Sequence, residues 1–246
     1  MGFCRVAMAL FFLLMGGFGA FSQQDSSNTT GHFATFQELL RQRHIELTKP
    51  ALMDALRNSD PHVRYLAALT LAEDKATDTI PAITDALTSE KVPETRANIA
   101  FALAQIGEEK GFATLKSMCV DRDVPAYLRI YATGYLLDLG DENCLNAVFD
   151  VLQSGGSFGT RVSALSLLPR FQHVSEDDSR RIVGATLKAL VDTSPALRIA
   201  ASDTLARLGT VAAIPSLESS IAKERNEAVR SQMQTDLQSL REKKEH

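Results

Sequence analysis

The chain has 246 residues, 45% hydrophobic and 23% charged, with a formal net charge of -4 and a pI near 5.8. That composition suits a folded globular chain of one extended or two compact domains and argues against disorder. The acidic balance excludes a global basic field that would gather nucleic acid or an anionic bilayer, so a partner must be recognised by local patches.

In chain order the first element is a leader. Residues 1–5 are a short basic start, residues 6–21 are apolar, and Ala20-Phe21-Ser22 places small residues at -3 and -1 of a cut before Gln23, the pattern of a secretory signal peptide over residues 1–22. The apolar run is about 16 residues, interrupted by Gly16-Gly17, against the roughly 20 that a spanning helix needs. Release into the periplasm or exterior without membrane insertion is therefore expected, with retention as an N-terminal membrane anchor as the alternative. Cys4 precedes the apolar run instead of closing it, which speaks against a lipid-modified cysteine. Residues 23–32, QQDSSNTTGH, read as a flexible leader. Within it Asn28-Thr29-Thr30 is formally a glycosylation sequon.

From residue 33 to 246 the chain repeats itself. Arg64, Arg96, Arg129, Arg161, Arg198 and Arg230 are separated by 32, 33, 32, 37 and 32 residues. The residue before each is Val63, Thr95, Leu128, Thr160, Leu197 or Val229, and seven after each stands a leucine: Leu71, Leu103, Leu136, Leu168, Leu205 or Leu237. Positions -1, +3, +7 and usually +10 form one apolar stripe at helical spacing, so each frame opens with an amphipathic helix. After a break often marked by glycine (Gly107, Gly140, Gly209), apolar residues return at +16, +19 and +23, as in Ile80, Ile83 and Leu87, which predicts a second helix. Asp60, Ser157, Ser194 and Asn226 are N-cap types four residues before the arginine, and Pro61, Pro93, Pro125 and Pro195 mark the same junction. No segment alternates with period two, so strands have no support.

Helical pairs of this length cannot bury both stripes alone and must stack, which gives an all-α fold, an α-solenoid superhelix of about six helical hairpins. The frame D-P-x-V-R-x-x-A-A-x-x-L-A followed by A-I-P-x-L-x-x-x-L, seen in Asp60 to Ala72 with Ile80-Pro81-Ala82-Ile83 and in Leu197 to Gly209 with Ile214-Pro215-Ser216-Leu217, resembles the short HEAT-like repeats of phycobilisome lyases and bacterial scaffold proteins. The resemblance covers roughly residues 50–240. It implies the architecture; an activity has to be argued from a site.

The recurring arginine reads as a structural ladder, its guanidinium bridging adjacent units through loop carbonyls or an acid of the neighbouring frame. Cys119 closes one second helix and Cys144 opens the next; those helices are expected to run parallel, which puts the sulfurs roughly 12 Å apart along the axis, so two buried free thiols are expected. Tyr127, Tyr131 and Tyr135 stand at i, i+4 and i+8, either as a partner-binding flank or packed across the groove between repeats. The insertion at residues 172–181 reads as Ser175 capping the next helix, with Glu176, Asp177 and Asp178 in its first turn. QSGGSFGT, residues 153–160, reads as a connector.

No catalytic, cofactor-binding or metal-ligating set is read from the chain. His32, His44, His62, His173 and His246 are scattered, no His-Glu pair has the spacing of a HEAT-like diiron hydroxylase, and no cysteine pair has zinc spacing. The expected function is an exported, non-enzymatic scaffold that binds a protein partner, with Asp85, Lys116, Asn146, Asp150, Lys188 and Glu218 as candidate contacts on the second helices. The alternative is a lyase-like or chaperone-like protein acting on a bound chromophore or cofactor, which requires an exposed apolar pocket.

Overall fold

The computed structural model describes residues 35–243 except 76 and 155. The signal peptide expected at 1–22 and the leader at 23–32 lie outside the described residues. Among the described residues there are thirteen α-helices and no strand, and none of the helices is long and apolar enough to cross a membrane.

The chain divides into two compact units, the first reaching to Leu115 and the second starting at Lys116. In the first unit, α1 (Phe36–Arg41), α3 (Pro61–Glu73) and α5 (Pro93–Ile106) are the first helices of their hairpins, and α2 (Lys49–Ala55) and α4 (Ile80–Ser89) are second helices. The boundary falls inside α6 (Glu109–Val120). In the second unit, α7 (Ala126–Asp138), α9 (Phe158–Leu167), α11 (Pro195–Leu208) and α13 (Glu227–Glu242) are first helices, and α8 (Leu145–Ser154), α10 (Glu176–Ala189) and α12 (Ile214–Lys223) are second helices. Within each unit first helices pack in a row: α1 on α3 and α3 on α5, then α7 on α9, α9 on α11 and α11 on α13. The second helices α2, α4, α8, α10 and α12 each pack on the first helix that follows. This is the all-α solenoid pattern that the repeat spacing predicts.

The first helices are more deeply enclosed than an amphipathic stripe suggests. In α3 every residue from Tyr65 to Ala72 is buried, and in α5 every residue from Ala97 to Ala104. The first helix α3 has a first helix on each flank, α1 and α5, and both α3 and α5 are rich in small buried residues (Ala67, Ala68, Ala100, Ala102) that let helices approach closely. Polar residues in this interior satisfy themselves: the hydroxyls of Thr70 and Thr133 donate to the carbonyls of Leu66 and Arg129, both at 2.8 Å.

Helix ends follow the local sequence. Asp60, Ser157 and Asn226 accept from backbone N–H groups of the first turn, whereas Ser194 occupies the N-cap without a side-chain bond. Gly107, Gly140 and Gly209 are left-handed with φ of 97°, 79° and 67°, and the following N–H bonds back to the carbonyl of Leu103, Leu136 or Leu205, the leucine of position +7. Lys75 occupies the same position of the α3 frame with φ 49°, without glycine's freedom. Ser175 caps α10, with the three acids in its first turn, as the insertion predicts.

Candidate functional site

The arginines hold hairpin ends together. Arg64 sits one turn into α3 and grips Glu90, the residue after α4, with two bonds, Nε to Oε2 at 2.7 Å and Nη2 to Oε1 at 2.8 Å. Its third nitrogen donates to the carbonyls of Asn58 and Ser59 beyond α2, at 2.8 and 3.0 Å. Arg198 repeats this on Glu224 (2.6 and 2.9 Å) and on the carbonyls of Asp192 and Thr193 (2.9 and 3.1 Å). The guanidinium thus ties the end of one second helix to the end of the next, and the planar fork matches the carboxylate.

In both cases the acid stands 26 residues after the arginine. Arg161 reaches Asp192 at 2.6 Å, 31 residues on, its partner displaced by the insertion of about five residues in that frame. Arg129 is buried; its Nε donates to the Cys119 carbonyl at 3.0 Å and its Nη2 to Asp150 at 3.1 Å. Arg230 donates to the Glu224 carbonyl at 3.2 Å. Arg96 is exposed, and position 122 of its frame carries not an acid but Arg122, which itself bonds Asp150.

The electrostatics follow from these contacts. Burial pushes the Glu90 carboxyl up, but Arg64 and the N–H groups of Val92 and Lys91 outweigh it and hold the group below the usual range. Arg198 holds Glu224 low, and the Ser194 N–H followed by Arg161 does the same for Asp192. Asp138 and Asp236 go the other way: burial raises both, and Arg170 beside Asp138 offsets this only in part.

Cys119 and Cys144 form a disulfide with Cα atoms 6.2 Å apart, which overturns the expectation of two free thiols. That expectation set the helices ending at Cys119 and starting after Cys144 parallel and in step. The last turn of α6 instead lies beside the start of α8: the Lys116 ammonium is 2.9 Å from the Asp141 carboxylate, just upstream of Cys144. The repeat spacing continues through this frame, but α6 and α8 do not stand in step along their length.

The remaining candidates scatter. Tyr131 and Tyr135 share a hydroxyl–hydroxyl bond of 2.6 Å with ring centroids 4.6 Å apart; Tyr135 is buried, and Tyr127 and Tyr131 are half-buried. Four of the polar candidates are engaged within the chain: Lys116 with Asp141, Asn146 accepting from Arg181 at 3.1 Å, Asp150 with Arg122 and Arg129, and Glu218 accepting from Arg241 at 2.6 Å. Lys188 is exposed on α10 and Asp85 on α4. Asp85 lines a cleft of about 490 Å³ between the C-terminal ends of α2 and α4. Among the described residues no group of three or more His, Cys, Asp or Glu side chains is placed to hold a metal ion.

Rows of first helices covered by second helices and laced at their ends by arginine define an α-helical repeat protein. HEAT repeats match residues 49–136 and 145–238, and the chain belongs to the HEAT-repeat family. Among solved structures it is similar to human deoxyhypusine hydroxylase in complex with glycerol (18% identity, TM-score 0.42, 84% of this chain and 77% of that one). It is also similar to an engineered protein from a structural genomics consortium (19% identity, TM-score 0.46, 78% of this chain and 96% of that one). No curated protein matches the sequence.

Proposed function

We propose that this HEAT-repeat protein is an exported, non-catalytic scaffold that holds a protein partner on the solvent face of its second helices. The observation that carries the reading is where the titratable groups go. The lowered carboxyls of Glu90, Asp192 and Glu224 each face an arginine that joins hairpin ends, so their perturbation belongs to a structural ion-pair ladder. His62 sits against Asp60 at the start of α3 and His173 against Glu142 in the second unit, so the two do not converge on one site. Export is supported by the buried Cys119–Cys144 bond, which forms and persists in oxidising compartments, and by the leader pattern at residues 1–22.

The test is crosslinking and mass spectrometry of the protein in its native envelope, with non-reducing peptide mapping of the same sample. A stoichiometric partner crosslinked through α4, α8, α10 or α12, together with the Cys119–Cys144 peptide, is the expected result. A bound small-molecule adduct, or two freely alkylated thiols in the mature chain, overturns the scaffold or the export reading respectively.

A further inference from the structure

We infer that the cleft between α2 and α4 is a docking site for a short peptide segment of the partner, one that carries an apolar side chain next to a carboxylate. This rests on the scaffold reading and names the place and the chemistry. The hollow exists because α4 turns small residues, Ala82 and Ala86, toward α2, where the larger residues usual in a helix seam would fill the space. Its apolar wall is completed by Met53 and Leu56 of α2, and the unbranched Met53, half-exposed, adapts to a guest. Arg64 and Glu90 form the polar floor and neutralise one another, with the Arg64 fork also occupied by two carbonyls.

The charges left over decide the polarity of the guest. Arg57, at the end of α2, and Lys91, just past α4, are exposed and in no ion pair among the described residues. Two cations therefore flank the C-terminal end of the cleft, while Asp85 stands a turn further in on α4. A guest that lays an apolar side chain over Met53, Ala82 and Ala86 places its neighbouring carboxylate between Arg57 and Lys91. Asp85 disfavours a second acid at the other end and favours a neutral or basic residue there.

The experiment uses the full mature chain and two fluorescein-labelled probe peptides, acetyl-Lys-Ser-Leu-Leu-Glu-Glu and its counterpart with both Glu replaced by Lys. The acidic peptide is expected to raise anisotropy saturably, with affinity falling as salt is raised, and the lysine peptide to bind at least about tenfold more weakly. The exposed double variant Arg57→Glu/Lys91→Glu, checked for unchanged helicity, should lose the acidic peptide by about tenfold or more, and Ala82→Leu should weaken both peptides by filling the hollow. Absence of saturable binding, a preference for the lysine peptide, or full binding by the double variant overturns the site. Capture of the same crosslinked partner by the double variant as by the native chain leaves the scaffold standing and removes only this cleft.

Discussion

Lys75 is a lysine in a position built for glycine. The equivalent residues Gly107, Gly140 and Gly209 close their helices at positive φ, and Lys75 does the same at 49° with a Cβ in place. Left-handed backbone costs an L-residue about 1 kcal/mol or more, partly offset because glycine loses more freedom on folding. Lys75→Gly should raise the melting temperature by roughly 2 °C, with no change in secondary structure. A lower melting temperature would show the lysine to hold a contact that outweighs its backbone. A second residue-scale conflict is Asp236 in α13, whose Oδ1 accepts from Gln232 at 3.0 Å while Oδ2 and the buried Ser202 hydroxyl are left without well-formed bonds. Burial raises its carboxyl, with Asp203 adding to the effect, so the folded chain holds this proton more tightly than the unfolded chain does and stability is lost as pH rises through the usual carboxylate range and above. Asp236→Asn should therefore stabilise the protein by about 1 kcal/mol near pH 7 and give little gain at about pH 4 or below, read by melting across pH. An equal gain at both ends would assign the effect to packing instead.

Helix by helix, the sequence specified starts and stops well because those signals are local: a proline after Asp60 or Ser194, a glycine eleven residues after the arginine, a leucine at +7 whose carbonyl the next N–H seeks. The ladder's acids were harder to see, because only Glu90 and Glu224 keep the spacing of 26 residues while Asp192 and Asp150 reach their arginines from shifted positions. The disulfide was hidden for a different reason. Periodicity reports which face of a helix is apolar and says nothing about where along its neighbour it stands, so the juxtaposition of the α6 end with the α8 start had no signal in the pattern. Both bonds make predictions. Glu90→Gln leaves Arg64 with half a partner; with Glu90 enclosed and Arg64 partly in contact with solvent, about 2 kcal/mol should be lost at neutral pH. Because the folded carboxyl is lowered, this contribution is present above the ordinary carboxylate range and disappears as pH falls below it, so the melting curves of variant and parent should converge in acid. A gap that persists into strong acid would mean the glutamate acts by shape. For the disulfide, closure of a loop spanning 25 residues is worth about 3.5 kcal/mol in the chain-entropy account, an upper figure for Cys144→Ser.

At the scale of the whole molecule, the unit of stability is the hairpin with its neighbour. In a repeat array the free energy is approximately a sum of hairpin terms and nearest-neighbour interfaces, so damage stays near where it is made. Glu90 lies in the first compact unit and Cys144 in the second. Hydrogen exchange can read the two separately. Glu90→Gln should speed exchange of the buried amides in α3, α4 and α5 and leave α11 and α13 at parental protection. Cys144→Ser should do the reverse, loosening α7, α8 and the end of α6 while Leu66 to Leu71 exchange as before. If either substitution raised exchange evenly from α3 to α13, the chain would be folding as one cooperative body, and the nearest-neighbour account of this HEAT-repeat protein would have to be abandoned.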